Sequence, residues 1–396
     1  MISLRQLFLN NVAQTSEAPL MLEIEKAEGV YLYDVNGKKY IDVISGISVS
    51  NIGHCHPAVV EAINAQTKKY MYLMVYGEYV QAPQVQYAKL LTSQLPKNLQ
   101  QVYYCNSGAE ATEGAIKLAR KFTGRTEIIH FKGGYHGSTI GALSVIGDEY
   151  FKTNYRPLPP GTRRLMYNCE GCLDYITTKT AGVIVEPVQG ESGVIASNKS
   201  WLNALRKKCT EVNALLIFDE IQSGFGRSGT LFAFQQYGVV PDVLNIAKGM
   251  GGGMPIAAFV SSSEIMSVFK NNPFLGHITT FGGHPVCCAA AMASLNVLLN
   301  DGLIEQVAEK ARLFAELLQN PKIKSINQRG LWMSLEFENY IINKAIIDNC
   351  IENGVITDWF LFADNRLRIA PPLIITTAQI KAACQIINNA IDSVIS

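Results

Sequence analysis

From Pro57 onward the chain alternates amphipathic helix-like segments with short apolar runs, and this alternation restricts the fold more than any other feature. HPAVVEAINAQTKKY is followed by QVYYC, GAEATEGAIKLARKF by EIIHF, and then come AGVIVEPV, WLNALRKKCTEV, ALLIFD and VLNIA. Helix and strand in turn predict an α/β fold with a mainly parallel sheet, whose strands are covered on both faces and so read as near-continuous apolar runs. Such sheets bind ligands outside the carboxyl ends of their strands. Two of the runs deliver chemistry there: ALLIFD ends on Asp219, and VLNIA runs into Lys248.

The two ends of the chain follow another pattern. GVYLYDVNGKKYIDVI alternates apolar and polar residues around Asn36-Gly37, a hairpin signal. Beyond an apolar helix at 286–299, the segments GLIEQVAEKARLFAELLQN, LWMSLEFE, RLRIAPP and TAQIKAACQIINNAIDSVI read as helix, strand, strand, helix. The expected division is 1–55 and 293–396 as the two parts of a small α+β domain, around a large domain at 56–292. No Pro- or Ser-rich linker separates them, so close packing is expected. A chain of 396 residues, 48% apolar, can bury cores of that size.

Composition narrows the function classes. The formal net charge is +1 and no basic block tracks a phosphate backbone, so nucleic acid is not an expected partner. The longest apolar stretch, VCCAAAMASLNVLL, is shorter than the roughly 20 residues of a membrane span, so no membrane association is expected. MISLRQLFLNNVAQTSEAP has Arg and Gln inside its apolar cluster and lacks a secretory cleavage pattern, which points to a cytoplasmic protein. Nine scattered cysteines imply no disulfide framework. Cys169 and Cys172 form a solitary CxxC and His54 and His56 an HxH, neither with the second half a zinc site needs, so no metal is expected.

A carboxylate and an amine at one sheet edge suit pyridoxal 5'-phosphate (PLP). A lysine holds its aldehyde as a Schiff base, and a carboxylate beside the pyridine nitrogen lets the ring accept electrons. Lys248 follows an apolar strand, so partial desolvation lowers its pKa toward the neutral, nucleophilic form; a surface lysine is the plainer alternative. Asp219 beside a ring nitrogen favours its protonated state, and the plainer alternative is a strand-end cap. In YYCNSGAEATEGAIKLAR, Ser107 reads as a helix N-cap with Glu110 as its box partner, and such a helix start suits a phosphate, although it is equally an ordinary capped helix. GMGGG after Lys248 lacks the spacing of a dinucleotide fingerprint, so a nicotinamide oxidoreductase is a weak reading.

The ordered set CNSGAEA, FKGGYHG, EPVQGE, FDEIQSGFGRSG, AKGMGGG and TTFGG resembles the class III (ω-amino acid) aminotransferases of PLP fold type I, the acetylornithine, ornithine and 4-aminobutyrate enzymes. The likeness runs from GVYLYDVNGKKYIDVISGI to LRIAPPL. It implies a large domain with a seven-stranded type of sheet, Lys248 as the Schiff-base lysine and Asp219 as partner of the pyridine nitrogen. It places Gln222 near the ring hydroxyl, Tyr135 on the ring face, and Ser107, Gly108 and Ala109 on the phosphate, with His136 and Glu186 also among the cofactor-binding residues. Thr280 resembles the threonine that reaches the phosphate of the neighbouring subunit, which implies a homodimer. By the same resemblance Lys248 shuttles a proton between substrate and cofactor carbons, an amine donor leaves its nitrogen on the cofactor, and a keto acid acceptor collects it.

Arg368 in RLRIAPP and Glu191 in EPVQGE match the family pair that binds the α-carboxylate of glutamate or closes on itself when an ω-amine is present, which implies exchange with 2-oxoglutarate. Two positions depart from the pattern. Many members read HGRT where this chain reads HGST, so Ser138 stands in place of a carboxylate-binding arginine, and Ile47 stands where the ornithine branch has tyrosine. With Tyr76 these shape the expected substrate pocket, which disfavours ornithine and leaves acetylornithine, 4-aminobutyrate, lysine or a diamine. A racemase, aminomutase or decarboxylase on the same scaffold is the second reading, and a non-catalytic cofactor-binding protein the third.

Overall fold

The computed structural model describes residues 2–395; Met1 and Ser396, the outermost residues of the expected small domain, lie outside the described residues. The centre is a seven-stranded sheet in the spatial order Gln101–Cys105, Ala257–Ser261, Val243–Ile246, Leu215–Asp219, Thr180–Val185, Glu127–Phe131, Thr162–Leu165. Ala257–Ser261 runs antiparallel to both neighbours and the remaining pairs are parallel. Three central strands, Thr180–Val185, Leu215–Asp219 and Val243–Ile246, are buried along their whole length. That is why their sequences are unbroken apolar runs rather than alternating ones.

The helices cover this sheet for readable reasons. Gly108–Thr123 starts at Ser107, whose hydroxyl accepts from Glu110 N, and stops at Gly124 with φ 67°. Glu110 lies in its first turn and Arg120 and Lys121 in its last, each matching the helix dipole. The expected return bond from Glu110 to the capping residue is displaced by one position. Its carboxylate instead accepts from the backbone and side-chain amides of Asn106 (2.8 and 2.9 Å). Pro285–Asn300 is apolar on most of its surface because it packs on both Pro57–Thr67 and Ala82–Ser93. It also spans the expected junction at 292/293. No helix among the described residues is long and apolar enough to cross a membrane.

The hairpin around Asn36-Gly37 forms as Tyr31–Asp34 and Lys39–Asp42, with Gly37 in the left-handed region (φ 79°). A third strand, Ile24–Glu28, pairs outside it, and Val355–Ile356 from the far end of the chain adds in parallel to Lys39–Asp42. The two segments LWMSLEFE and RLRIAPP pair antiparallel, Met333 opposite Ile369, within a second four-stranded sheet.

One expectation about the cysteines is corrected. Cys169 and Cys172 are joined in a disulfide, because the short turn Glu170–Tyr175 brings their Cα atoms to 5.4 Å; the remaining seven are free thiols. The HxH histidines have separate structural partners. His54 Nε2 meets Asp42 Oδ2 at 2.7 Å, and His56 accepts from Ala58 N at a helix start.

Candidate active site

Every parallel strand of the inner sheet ends at the same edge, and a cavity of about 450 Å3 opens there. Gln101–Cys105 leads into Ser107, Gly108 and Ala109, and Glu127–Phe131 into Tyr135, His136 and Ser138. Thr180–Val185 leads into Glu186, Leu215–Asp219 into Gln222, and Val243–Ile246 into Lys248. All nine of these residues and Asp219 are predicted site residues, and all line the cavity. Side chains alternate across a strand end, so Asp219 faces the cavity while its neighbour Glu220 points behind, accepting from Ala233 N, Phe234 N and the Ser223 hydroxyl.

Asp219 is 3% exposed. His136 Nδ1 lies 2.7 Å from its Oδ2, and Ile221 N donates to its Oδ1 at 3.1 Å, so the carboxylate is oriented from two sides. Glu186 accepts from Tyr135 N and Gly190 N (both 2.9 Å), and burial, followed by the nearby Asp219 charge, pushes its carboxyl well above the usual range. The surface of Lys248 faces the cavity, and burial pushes its amine down to about 8. Its backbone is left-handed, φ 50°. The local stretch therefore presents a neutral amine near neutral pH more readily than a free lysine does.

Beyond Gln222 lies the second charged group. Arg368 donates to both oxygens of Glu191 (Nη1 to Oε1 at 3.0 Å, Nη2 to Oε2 at 2.9 Å) and through Nε to Asp358 Oδ1 at 2.9 Å. Glu191 also accepts from Gln222 Nε2 (2.8 Å) and Leu361 N (3.1 Å). Burial alone raises a carboxyl, but the Arg368 charge and its hydrogen bonds win here and hold Glu191 at about 2. Glycine is required at 190 in EPVQGE: an added Cβ there would meet Trp332 at 2.8 Å and Gln222 at 3.0 Å.

The cavity fits the cofactor predicted from sequence. Gln222 Oε1 is buried without a hydrogen-bond partner, beside a carboxylate and an amine. The amides of Gly108 and Ala109, first in their helix, have no intrahelical acceptor and suit a phosphate. Tyr135 forms a wall, its hydroxyl 3.1 Å from that of Ser138 and its ring 6.2 Å from Phe362.

Not every predicted residue converges. Thr280 is exposed outside the cavity, its carbonyl accepting from the Tyr72 hydroxyl, and Tyr76 lines a separate cavity with Tyr103, Tyr104 and His277. Ile47 is half-buried and does not line the site, whereas its neighbour Val49 does. Residues 45–48 all have positive φ (45°, 59°, 63°, 62°), a left-handed turn that costs about 1–2 kcal/mol per non-glycine residue. Val49, Ile221 and the segment Met254–Ile256 complete the apolar wall and were not read from the sequence. Ile221, between Asp219 and Gln222, had a signal in its neighbours; Val49 had none.

Comparison with known proteins shows the family. The family model for class III aminotransferases matches residues 12–391. The acetylornithine aminotransferase of Methanocaldococcus jannaschii is 39% identical over 388 residues, covering 95% of this chain and 94% of its own. The ornithine aminotransferase from Toxoplasma gondii, whose structure shows partial occupancy of PLP at the active site, superposes with a TM-score of 0.91 at 30% identity, covering 98% of this chain and 93% of its own. An amine transaminase from an uncultivated Pseudomonas species, in its PLP-bound form, gives 0.89 at 26% identity, with 97% and 98% covered. The chain belongs to the class III aminotransferases and its cofactor is pyridoxal phosphate.

Proposed function

We propose that this transaminase moves the terminal amino group of an ω-amine donor to 2-oxoglutarate, giving glutamate, with acetylornithine the first candidate donor and 4-aminobutyrate, lysine and a diamine next. The observation that carries the reading is Arg368 closed on Glu191, both nearly fully buried, with Glu191 tied in turn to Gln222. A closed pair hides the arginine from a donor whose reacting end carries no carboxylate. Opening it exposes a bidentate partner for the α-carboxylate of glutamate or 2-oxoglutarate. Acetylornithine leads because of the 39% identical relative that carries that activity in its name. Ser138 supplies a hydroxyl and no charge at the cavity mouth, which keeps shorter and uncharged tails in contention.

The cofactor would be held by Lys248 covalently, by Asp219 at its ring nitrogen, by Gln222 at its ring oxygen, by Tyr135 on its face and by Ser107, Gly108 and Ala109 at its phosphate. When bound, it supplies an electron sink next to the amine-bearing carbon. Lys248 Nζ then takes and returns the proton; an amine at about 8 serves as base and acid near neutral pH. His136 orients the Asp219 carboxylate, which would pair with the ring nitrogen, and burial together with the Asp219 charge raises the Glu186 carboxyl and so disfavours a further negative charge there.

The active form in this reading is a homodimer in which Thr280 reaches the partner's phosphate site. Exposed Met71, Tyr72, Leu73, Phe274, Leu275 and Phe281 support it. The Tyr72 and Phe281 rings lie 5.4 Å apart, so the two segments form one apolar face of the kind that marks an interface. Light scattering that gives a monomer would remove this part of the proposal.

A panel of single half-reactions tests the donor. The cofactor-loaded protein, mixed in turn with acetylornithine, 4-aminobutyrate, lysine, putrescine, ornithine and glutamate, should lose its yellow absorbance with glutamate and with one ω-amine. Turnover of an amino acid with no keto acid present would instead favour a racemase or mutase.

A further inference from the structure

We propose that Arg227 is a positioning residue for substrate binding: it clamps the left-handed turn Ser45–Ser48, and so sets the place of Val49 in the cavity wall. The inference rests on the family's transaminase activity and not on which donor is used. Four observations carry it. The turn works against its own residues, since three of its four positive-φ positions are not glycine, Ile47 is β-branched, and the buried Ser48 hydroxyl has no hydrogen-bond partner. Its own backbone bonds, Ser48 N to Ile44 O at 3.0 Å and Val49 N to Ser45 O at 2.8 Å, offset part of that cost, and contacts from outside the turn add to them.

Arg227 is fully buried and its hydrogen bonds go to neutral oxygens, the Asp42 charge acting on it without a hydrogen bond. Nη2 donates to Ser45 Oγ (3.1 Å) and Asn51 Oδ1 (2.7 Å), and Nη1 to the carbonyls of Leu331 (2.8 Å) and Pro371 (2.6 Å). Burial pushes the guanidinium down to about 9, which still leaves it charged at neutral pH. One planar fork thus ties both flanks of the turn to two segments from the far end of the chain. Ser45 Oγ passes the link on to Ala370 O at 2.6 Å, and Asp42 Oδ1 accepts from the amides of Ile44 and Ser45.

The clamp also touches the reacting lysine's surroundings. Asn51, held by Arg227, donates to Phe225 O at 2.9 Å, and its amide lies where a Cβ on Gly249 would meet it at 2.5 Å, one residue past Lys248. Leu373 N donates to Asn51 O at 2.7 Å. Val49 lies between the two flanks that Arg227 grips, Ser45 and Asn51, and it is the residue of this stretch that lines the cavity. A turn loosened at Ser45 therefore widens the substrate wall, while the Arg227 bond to Asn51 still holds that residue against Gly249.

Ser45→Ala, Arg227→Lys and the double variant Ser45→Ala/Ser48→Gly test this in the cofactor-loaded enzyme. Ser45→Ala should raise the KM of the reacting amine about tenfold with kcat changed less than twofold and the bound-cofactor absorbance unchanged. Hydrogen exchange at the Ile47, Ser48 and Val49 amides, which needs no donor, should quicken at least tenfold. Arg227→Lys should do the same or more, since a single ammonium cannot serve four acceptors. Adding Ser48→Gly, which accepts a positive φ freely, should bring exchange and KM back to within about threefold of the parent. Lower stability in both single variants with unchanged KM and exchange would overturn the proposal, as would no recovery in the double variant. If Arg227→Lys does not fold, Ser45→Ala and its double variant decide alone. If no ω-amine reacts in the panel, the donor assignment fails while the exchange measurement still stands.

Discussion

Arg368 and Arg227 are both about as buried as a side chain can be, yet their surroundings differ in kind. Arg368 is met by two carboxylates, Glu191 and Asp358, and despite burial these hold its guanidinium above the ordinary range. Arg227 is met by a hydroxyl, an amide oxygen and two backbone carbonyls. A carboxylate can be exchanged for a substrate carboxylate of the same charge and shape, so the first environment suits a switch. Backbone carbonyls cannot be exchanged, so the second suits a clamp. Buried charge alone does not identify a substrate-binding residue; the replaceability of its partner does.

Lys248 feels the charges of both Glu191 and Arg368, and Lys248→Ala should reduce transamination by about a thousandfold or more, the range expected for a lost general acid and base, with the far-ultraviolet spectrum unchanged. Normal turnover would end the assignment. Next, Arg368→Ala should slow the glutamate half-reaction about a hundredfold, as loss of a bidentate charged contact worth a few kcal/mol implies. It should slow a simple amine donor far less. Equal losses in both halves would place Arg368 with Arg227, as structure.

Glu191→Gln sharpens the contrast at smaller scale. Left with Asp358 as its remaining carboxylate partner, Arg368 should bind glutamate about tenfold more tightly, while the ω-amine donor loses ground; stopped-flow half-reactions separate the two. Two pH effects follow. Glu191 is held at about 2 in the folded protein against an ordinary 4.5, so its stabilisation is complete above 4.5 and is lost as pH falls toward 2. Glu191→Gln should therefore flatten acid unfolding in that window. Lys248 has the opposite sign: its neutral fraction grows as pH rises through about 8, so covalent capture of pyridoxal phosphate by cofactor-free protein should quicken with a midpoint there rather than near 10.5.

Much of the site was legible because parallel strands put their ends at one edge. Knowing that ALLIFD and VLNIA are buried strands is enough to place Asp219 and Lys248 together, and the structure opens one cavity over both. Glu110 shows the limit of local rules. The capping pattern is present in the sequence, but the carboxylate reaches Asn106 because the strand end offers two donors there. The disulfide between Cys169 and Cys172 was missed since a lone CxxC has no framework, and only the turn between them sets the Cα separation.

By itself, then, the sequence determined the alternation of helix and strand, the residues at the strand ends and the chemistry they could carry, because strand period, burial and charge are local properties of neighbouring residues. Tertiary structure alone decided that Glu191 closes on Arg368 across 177 positions, that Val355–Ile356 pairs with Lys39–Asp42, and that Arg227 grips the turn at Ser45. Those contacts join segments at least 177 residues apart, and their geometry is set by how packed layers meet rather than by any pattern within one segment.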